Sequence, residues 1–501
     1  MDTTLRDGEQ TSGVSFMPHE KLLIARFLLE QLRADRVEVA SARVSDGERR
    51  AVKTICDWAA KAGYIDSIEV LGFVDGGTSL DWIASCGGRV INLLTKGSLK
   101  HCTHQLGKTP EEHIADIRST IDRAVSMGIS VNVYSEDWSN GMKDSPEYVY
   151  QMLDAISRMP VKRIMLPDTL GVLAPHTTMH FVKNIVSRYP EVHFDFHAHN
   201  DYDLAVANVL AAVRYGCRGV HTSLNGLGER TGNASLASVA AVLHDQTDYR
   251  TGIAEEKLYD ASRLVASYSG IPVAANAPIV GESVFTQVAG VHADGDRKHN
   301  LYANALLPER FGRRREYALG KSSGKANILK NLEELGYELS AEETKRVTAR
   351  IIELGDKKQI VTREDLPYIV SDVLKHDAPT DRVRLLSYMV TTAYGLRPCA
   401  SLKVEIDGTP YEENAVGDGQ YDAFVSGLRS IVERNLGLAF PRLVNYSVGI
   451  PPGGRTDAFV ETVITWEAEG REFRTRGFDT DQTEAAIKAT LKMLNIIFSE
   501  R

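Results

Sequence analysis

The sequence predicts an α/β protein: a TIM (β/α)8 barrel, then small helical linker subdomains, then a separate C-terminal α+β domain. Three observations lead to this prediction. Short β-branched runs alternate with amphipathic stretches up to about residue 270. Polar residues collect where those runs end, and the pattern changes twice further along the chain. A chain of 501 residues is also too long for one ordinary core.

Seven runs in the first half have the composition of buried parallel strands: Arg36–Val39, Ser67–Leu71, Arg89–Leu94, Ser130–Tyr134, Arg163–Leu166, His193–Phe196 and Gly219–Thr222. Helical patterns such as 18–32 and 110–127 separate them. Repeated βα units predict a parallel sheet with crossover helices. The first strand is represented only by Met1–Thr3, so we expect an upstream piece of that strand to precede this sequence.

Polar side chains mark the ends of these runs: Glu38, Asn92, Glu136, Asp168, His197, His199 and Asn225. A barrel gathers the C-terminal ends of its strands at one mouth, and its active site lies there. No dinucleotide-type GxGxxG segment follows the first strand, which speaks against an open nucleotide-binding sheet. Both observations favour a closed barrel.

Two changes of pattern divide the rest of the chain. Longer loops followed by helical stretches at 340–355 and 362–374 indicate linker subdomains. Strands at 402–406 and 459–466, with helices at 421–436 and 480–498, indicate an α+β domain. We therefore expect a barrel over 1–272, linker subdomains over 273–380 and a C-terminal domain over 381–501.

Composition and charge exclude several classes of protein. Hydrophobic residues make up 43% and charged residues 25%, as in a globular protein, and a net charge of -9 gives no footprint for nucleic acid. No apolar run is long enough for a membrane span, and no signal peptide begins the chain. Five cysteines without a CxxC pair indicate a reducing compartment, and we expect the cytoplasm. The basic run Arg313–Arg315, with Arg310 and Lys321 nearby, fits a solvated loop, a site for CoA phosphates or a domain contact.

The pair His197 and His199 offers metal ligands. Residues two apart on a strand point to the same side, so both imidazoles can reach one ion. Asp7 follows the first strand and would complete a facial site with two nitrogen ligands and one oxygen ligand. A divalent ion (Mg, Mn, Co or Zn) held there could bind a 2-keto acid and act as a Lewis acid. Arg6, next to Asp7, offers a rigid cationic fork for the oxyanion that forms when a ketone is attacked.

Three segments together carry a family resemblance: Asp2–Gln10 (DTTLRDGEQ), His197–Asn200 (HAHN) and Asn225–Asn233 (NGLGERTGN). They resemble the signatures of the DRE-TIM metallolyase superfamily and, within it, of the 2-isopropylmalate, homocitrate and citramalate synthases. The similarity extends over nearly the whole chain. It implies a synthase that condenses acetyl-CoA with a small 2-keto acid, and a C-terminal domain that regulates the enzyme and mediates dimerisation.

The resemblance also implies roles for single residues. Asp7, His197 and His199 would bind the metal, with Asn233 as a further ligand or neighbour. Arg6 would polarise the keto oxygen, and Glu136 would belong to the catalytic group. Thr169 and Gln10 would contact substrate. The segments Gly290–Ala293 and Asn300–Tyr302 resemble those that give the partner protomer's site a histidine and a tyrosine, here His292 and Tyr302. The base is then Glu136 or His292 with Tyr302.

Three bulky positions, Leu71, Leu94 and Tyr134, should face the substrate's side chain. A filled pocket suits a methyl group and excludes an isopropyl group, which favours pyruvate over 2-ketoisovalerate. With these positions and the segments Ser41–Ser45 and Leu94–Ser98, the chain resembles the citramalate synthases more than typical isopropylmalate synthases. No cationic residue among them would hold the distal carboxylate of a homocitrate substrate. A plain core role for these residues is the alternative.

In the C-terminal domain, the segments Gly417–Asp422 and Ile450–Asp457 resemble the effector-binding part of the family's feedback domain. Candidate residues for an apolar amino-acid effector, isoleucine or leucine, are Tyr421, Asp422, Leu443, Tyr446, Ile450 and Val460. Their aliphatic members fit a hydrophobic core equally well.

Two other functions compete with the synthase. A lyase on the same barrel carries a catalytic cysteine in its glycine-rich loop, but the loop Gly226–Asn233 has none. A non-catalytic effector-binding subunit would not need the six intact residues Arg6, Asp7, Glu136, His197, His199 and His292. Both observations favour the synthase.

Overall fold

The computed structural model describes residues 1–287, 301, 304–320, 325–334, 339–356, 361, 366–374, 382–449 and 460–499. The chain forms two compact units. The first comprises Met1–Phe285 and Ala303–Arg315, and the second comprises Thr286–Tyr302 and Glu316–Arg501. Each unit is described separately.

The first unit is built on a parallel sheet of seven strands in sequential order. They are β1 (Val37–Ser41), β2 (Ile68–Phe73), β3 (Val90–Lys96), β4 (Ser130–Glu136), β5 (Arg163–Asp168), β6 (Phe194–Ala198) and β7 (Gly219–His221). Asp2 forms a parallel bridge to Val37 of β1 and another to Thr222, just after β7. The segment around Asp2 thereby joins the two edges of the sheet and closes the barrel.

Helices connect the strands: α1 (Pro18–Arg26), α2 (Asp46–Ala62), α3 (Thr78–Ser85), α4 (Pro110–Ser126), α5 (Trp138–Asp144), α6 (Pro146–Ile156), α7 (Pro175–Arg188), α8 (Ala205–Arg214), α9 (Leu236–Gln246) and α10 (Leu258–Ser269). Local signals set their ends. Thr109 and Glu112 form a capping box at the start of α4, and Gly63, with φ of 83°, ends α2. The predicted helix at 18–32 ends as α1 at Arg26 and continues as a π-turn over Phe27–Gln31.

The core of this unit lies between the outer faces of the strands and the helices. Ile55 of α2, Ile121 of α4 and Val182 of α7 are fully buried against strand residues such as Val133 and Phe196. These outward-facing strand residues are apolar because helices cover them. The inward-facing positions, in contrast, include many polar residues.

The second unit begins with a two-stranded parallel pair, β8 (Thr286–Gln287) and β9 (Glu316–Tyr317). The helices α11 (Lys325–Glu334), α12 (Ala341–Asp356) and α13 (Leu366–Leu374) follow. They share a small apolar core that includes Ile328, Val347 and Leu366.

The C-terminal part repeats one arrangement, three antiparallel strands followed by a helix. The first set is β10 (Val383–Thr391), β11 (Cys399–Ile406), β12 (Thr409–Val416) and α14 (Gln420–Ser430). The second set is β13 (Arg442–Gly449), β14 (Val460–Ala468), β15 (Arg471–Asp479) and α15 (Gln482–Ser499). Each helix packs on two strands of its own sheet, and both sets share one apolar core. A turn of π-helix, Ile431–Asn435, extends α14.

None of the helices in the described ranges combines the length and the apolar character that a membrane crossing requires. All five cysteines have free thiols, and only Cys399 is exposed.

Candidate metal and acceptor site in the barrel

A tight turn after Asp2 presents Arg6 and Asp7 beside the end of β6. The backbone N–H groups of Arg6, Asp7 and Gly8 all donate to the Thr3 carbonyl, at 3.1, 2.8 and 3.1 Å. Thr4 anchors the same turn, because its Oγ1 accepts from the Leu224 N–H at 2.8 Å. The position of both functional side chains therefore follows from backbone contacts of a short segment.

Asp7 lies against the two histidines that the sequence singled out. Its Oδ2 is 3.2 Å from Nε2 of His197 and 3.7 Å from Nε2 of His199. All three residues are buried, and one potential ligand atom from each lies within 4.8 Å of the others. This is the facial donor set predicted from the HxH spacing.

Unpartnered polar atoms test whether a metal ion fits here. Within the described part of the chain, neither Asp7 oxygen has a hydrogen-bond partner, and Oδ1 of Asn233 has none either. The Asn233 Nδ2 group donates to the Leu227 carbonyl at 3.0 Å, so the free Oδ1 lies on the other side of the amide. Asn233 also pairs by backbone with His199. Buried acceptors without donors are costly unless a cation occupies the space, so the donor set fits one.

The protonation states suit the same role. Burial would raise the pKa of Asp7, but Arg6 and His197 outweigh it and hold that pKa well below its usual range. Burial, with neighbouring His197, lowers the pKa of His199 to about 4. Near neutral pH Asp7 is therefore a carboxylate and His199 a neutral imidazole, the forms that bind metal ions.

Arg6 is held by three partners. Its Nε donates to Oε2 of Glu38 at 2.5 Å, and its Nη1 lies 3.4 Å from Oδ2 of Asp7. Its Nη2 donates to the hydroxyl of Tyr134 at 3.4 Å. The guanidinium is thus fixed beside Asp7 and remains charged, since Glu38 and Asp7 outweigh the effect of burial and raise its pKa. A fixed cation here can stabilise negative charge that develops on a nearby oxygen.

Glu38 and Arg6 belong to a closed chain of hydrogen bonds among ten polar side chains of the barrel, which we call the lumen ring. In order of contact its members are Arg6, Glu38, Asn92, Asn132, Arg163, Glu69, Arg36, Asp195, His221 and Tyr134. Every strand from β1 to β7 contributes at least one member. Barrel interiors are usually filled by layers of branched apolar residues, so this lumen is unusual in its polarity.

His221 connects two parts of the lumen ring. Its Nδ1 lies 2.9 Å from the Tyr134 hydroxyl, and its Nε2 lies 3.2 Å from Oδ2 of Asp195. Burial lowers the pKa of His221 to about 3, so its imidazole is neutral. Burial would raise the pKa of Asp195, but Arg36 and the two histidines His193 and His221 hold that pKa well below its usual range. The Asp195 carboxylate can only accept, so Nε2 carries the proton and Nδ1 accepts from Tyr134.

The three positions expected to face the substrate's side chain lie together. Leu71, Tyr134 and Met165 form a buried cluster separate from the main core, and Leu94 packs against it. The Tyr134 ring also meets the ring of His197 edge to face, with centroids 6.1 Å apart. The cluster is therefore next to His197, one of the candidate metal ligands.

Glu136, expected to be catalytic, and Thr169 and Gln10, expected to contact substrate, each have contacts of their own. Glu136, at the end of β4, forms an ion pair with Lys96 of β3. The Thr169 hydroxyl accepts from the Asp137 N–H at 2.9 Å. Gln10 is exposed and lines a cleft of about 410 Å³ that Arg6, Ser41 and Ser45 also line. Lys96, the ion-pair partner of Glu136, was not singled out from the sequence.

His292, Tyr302 and Ile450 lie outside the described residues. Asp168, at the end of β5, accepts from the N–H groups of Val172 and Leu173 at 3.0 Å each, which is a loop-capping role.

Two arginines of the basic run around residues 310–321 make structural contacts. Arg310 pairs with Glu255 and Asp245, and Arg313 lies over the ring of Tyr259 at 4.3 Å from its centroid. Lys321 lies outside the described residues. For Arg310 and Arg313, contacts within their own unit account for the charge.

The sequence did not reveal that Glu38, Asn92 and Asp195 are hydrogen-bonded inside the barrel as members of the lumen ring. Glu38 and Asn92 were noted only as polar residues near strand ends, and Asp195 only as part of a strand. A signal was present, because a charged residue inside an otherwise apolar parallel strand needs a buried partner.

Lys21 gave no such signal on its amphipathic helix. Its ammonium is fully buried and lies 2.6 Å from Glu9, and it donates to the Leu5 carbonyl at 3.1 Å.

The structure brings two of the candidate effector residues together and separates others. Tyr421 of α14 and Tyr446 of β13 have ring centroids 5.4 Å apart, and the Tyr421 hydroxyl is 2.6 Å from that of Thr490. Leu443 pairs with Trp466 near one end of β14, whereas Val460 begins that strand. Six residues of strand separate these ends by roughly 20 Å, so one chain does not bring Leu443 and Val460 together. The carboxylate of Asp422 accepts from the Asp418 N–H at 2.8 Å.

Comparison with known proteins gives matches along the whole chain. The HMGL-like family model matches residues 1–265, the homocitrate synthase post-HMGL domain-like model matches 279–359, and the LeuA allosteric (dimerisation) domain model matches 360–498. A 2-isopropylmalate synthase of Methanocaldococcus jannaschii is 35% identical over 100% of this chain and 94% of its own length. An (R)-citramalate synthase CimA of the same organism is 32% identical over 99% of each chain. These matches confirm the predicted barrel class and the family resemblance.

Proposed function

Because this chain belongs to the HMGL-like family and, within it, to the (R)-citramalate and 2-isopropylmalate synthases, we propose that it condenses acetyl-CoA with pyruvate. It is an enzyme of this acyltransferase type. The products are (R)-citramalate and CoA, and the proposed pathway is isoleucine biosynthesis. The observation that supports pyruvate is the filled cluster of Leu71, Leu94 and Tyr134 beside the metal ligands.

The size of this cluster supports the smaller acceptor. Leu71 is 6% and Tyr134 3% exposed, so their side chains already occupy the space beside the ligands. A methyl substituent needs little of that space, whereas an isopropyl group would have to displace packed atoms. Overpacking a filled site typically costs about 1–3 kcal/mol, which corresponds to roughly 5–150-fold in selectivity. Pyruvate is therefore favoured over 2-ketoisovalerate.

Asp7, His197 and His199, with Asn233, would hold a divalent cation. When bound, that cation would supply Lewis acidity for the attack on the keto acid. Arg6 would stabilise the negative charge that grows on the keto oxygen when carbon attacks, because Glu38 and Asp7 fix its guanidinium next to the ligands. Thr169 would hold the carboxylate of the keto acid.

The carbon–carbon bond requires a base that removes a methyl proton from acetyl-CoA. Glu136 is one candidate, and its ion pair with Lys96 would orient its carboxylate. His292 with Tyr302, contributed by the partner protomer, is the other. The enolate attacks the keto carbon, and water then cleaves the thioester to release CoA.

The C-terminal domain would mediate dimerisation and bind an apolar amino acid as feedback effector, isoleucine for a citramalate synthase. The LeuA allosteric (dimerisation) domain match supports this role. The contact between Tyr421 and Tyr446 is the part of the candidate pocket that one chain assembles. We place the enzyme in the cytoplasm.

A 2-isopropylmalate synthase is the second candidate, because one relative that carries this name matches over the whole chain. It would use 2-ketoisovalerate, and leucine would be its effector. A lyase on this barrel is less well supported because the loop Gly226–Asn233 has no cysteine.

The decisive experiment follows free thiol release from acetyl-CoA with a divalent metal ion and, separately, pyruvate, 2-ketoisovalerate or 2-ketoglutarate. We expect the highest kcat/KM with pyruvate. Fastest turnover with 2-ketoisovalerate would instead establish the isopropylmalate synthase. Omitting the keto acid controls for simple thioester hydrolysis, and a chelator tests the need for metal.

A further inference from the structure

A buried histidine on β7, His221, takes no part in the chemistry proposed above. It is 1% exposed, and its two ring nitrogens face two different side chains. Nδ1 lies 2.9 Å from the Tyr134 hydroxyl, and Nε2 lies 3.2 Å from the Asp195 carboxylate. Asp195 is fixed in turn by Arg36, whose Nη2 is 2.6 Å from Oδ2. Asp195, His221 and Tyr134 therefore form a hydrogen-bonded row. The row ends at the pocket of Leu71, Leu94 and Tyr134 proposed for the substituent of the keto acid, which we call the acceptor pocket.

We infer that His221, oriented by Asp195, is a positioning residue that holds the Tyr134 ring in the acceptor pocket and thereby limits the size of the keto acid accepted. This inference rests on the proposed function, since it names the residue that sets the specificity of the same site. It concerns the tyrosine's position and leaves the bond-making step unchanged.

The contacts of Tyr134 explain why it needs such a partner. Its hydroxyl has two polar neighbours among the described residues: the Nδ1 acceptor of His221 and the Nη2 donor of Arg6 at 3.4 Å. Only His221 can accept its proton. A buried hydroxyl that loses its acceptor is destabilised in that position and will seek another.

The imidazole also limits the ring sterically. The two ring centroids are 5.4 Å apart at an interplanar angle of 75°. On its other sides Tyr134 meets Leu71 and Met165. Replacing His221 by alanine would open a void behind the tyrosine, into which its ring could tip, and the pocket would gain volume where the acceptor's substituent lies.

The test compares three variants of the full chain: H221A, H221N and H193A. Asparagine keeps an acceptor near the position of Nδ1. His193 is the matched control, because its Nε2 is 2.9 Å from Oδ1 of the same Asp195 carboxylate, and the described contacts of its ring include none with Tyr134. The readout is the ratio of kcat/KM for 2-ketoisovalerate to kcat/KM for pyruvate. This ratio does not change with the fraction of enzyme that is folded or metal-loaded.

We expect H221A to raise the ratio at least about tenfold, the scale on which one methylene is discriminated. H221N should stay within about threefold of the wild type, and H193A within about twofold. A ratio in H221A equal to that of the wild type would overturn the inference, as would an equal shift in H193A, which would assign the effect to Asp195 alone.

Failure of the proposed function has a different signature. It appears in the wild type, as a preference for 2-ketoisovalerate, whereas the inference concerns the change from wild type to variant. Calorimetric binding of each keto acid to the metal-loaded enzyme without acetyl-CoA gives the same ratio independently of turnover. A binding ratio that H221A leaves unchanged would also refute the positioning role.

Discussion

The barrel lumen and the C-terminal core solve the problem of a stable interior in opposite ways. In the lumen, Glu38, Glu69 and Asp195 are fully buried and are matched by arginines. In the C-terminal domain the shared core consists of apolar side chains, and exposed ion pairs lie outside it, as with Arg384 and Glu405 at 59% and 22% exposure.

The difference reflects what each interior has to do. An apolar core stabilises in proportion to the area that it buries and tolerates small shifts. Buried ion pairs add little net stability, since desolvation offsets their attraction, but they fix side-chain direction when all partners are present. The lumen ring thus costs stability and orients Arg6 and Tyr134, whereas the C-terminal core provides stability without placing a charged group.

The sharpest test of this contrast is the loss of one arginine from each region. R6A should lower kcat by at least about 10³-fold, because a preorganised donor at the developing oxyanion is lost. Steady-state thiol release measures this, and metal content by elemental analysis should stay at the wild-type level. R384A, on the surface of the C-terminal domain, should retain wild-type kcat. Unchanged activity in R6A would remove Arg6 from the mechanism.

The next largest effect should come from opening the lumen ring away from the site. R36M leaves Asp195 buried without its arginine and Glu69 with Arg163 as its remaining arginine, which should reduce the free energy of unfolding by about 3–5 kcal/mol. The matched variant R384M breaks an exposed pair and should cost at most about 1 kcal/mol. Urea unfolding of the full chain, read by hydrogen exchange in each unit, separates the two. Equal costs would contradict the contrast between the regions.

Acid should weaken the barrel before the C-terminal domain. Burial lowers the pKa of His113 on α4 to about 4, and its Nε2 accepts from the Lys96 N–H at 3.1 Å. A histidine with a lowered pKa takes up its proton on unfolding, so the barrel should lose about 2–3 kcal/mol as pH falls from about 6.5 to about 4. Residues 382–501 include no histidine, so the C-terminal domain has no histidine that could take up a proton in this way.

The comparison of H113Q with wild type isolates this term. The glutamine keeps an acceptor but does not titrate, so the slope of stability against pH in this window should flatten. H19Q, at an exposed histidine, serves as the control and should leave the slope unchanged. A wild-type slope in H113Q would show that other groups dominate.

The smallest effect should be that of a single hydrogen bond in the C-terminal domain. Y421F removes the hydroxyl that lies 2.6 Å from that of Thr490, and we expect a cost of about 1 kcal/mol. Y394F, at a fully exposed tyrosine, should cost nothing measurable. Thermal unfolding of both variants measures the difference. If the two variants unfold at the same temperature, the Tyr421 contact contributes nothing.

The sequence predicted the barrel well because its signal is local. Strands buried on both faces appear as largely apolar runs, so β3 and β5 were recognisable from a few residues each. The ligand set was predictable for a related reason: the two-residue spacing of His197 and His199 fixes their common direction without knowledge of the fold.

The lumen ring could not be predicted in this way. Arg36 and Asp195 are 159 positions apart, and neither residue alone shows that the other is its partner. Whether a charged residue within a strand points inward depends on register, which neighbouring strands decide. Residue types indicated where chemistry could occur, whereas the partners that orient each group depend on the closed barrel.

The closure of the lumen ring bears on how such a barrel can evolve a new acceptor range. In a ring of hydrogen bonds no member is terminal, so a change at any one of its positions leaves two neighbours unsatisfied, and substitutions there should show strong epistasis. Leu71 and Leu94 lie beside the ring, among apolar neighbours. Natural variation and laboratory selection should therefore change substrate range through these two leucines first, while the ten residues of the lumen ring stay unchanged together.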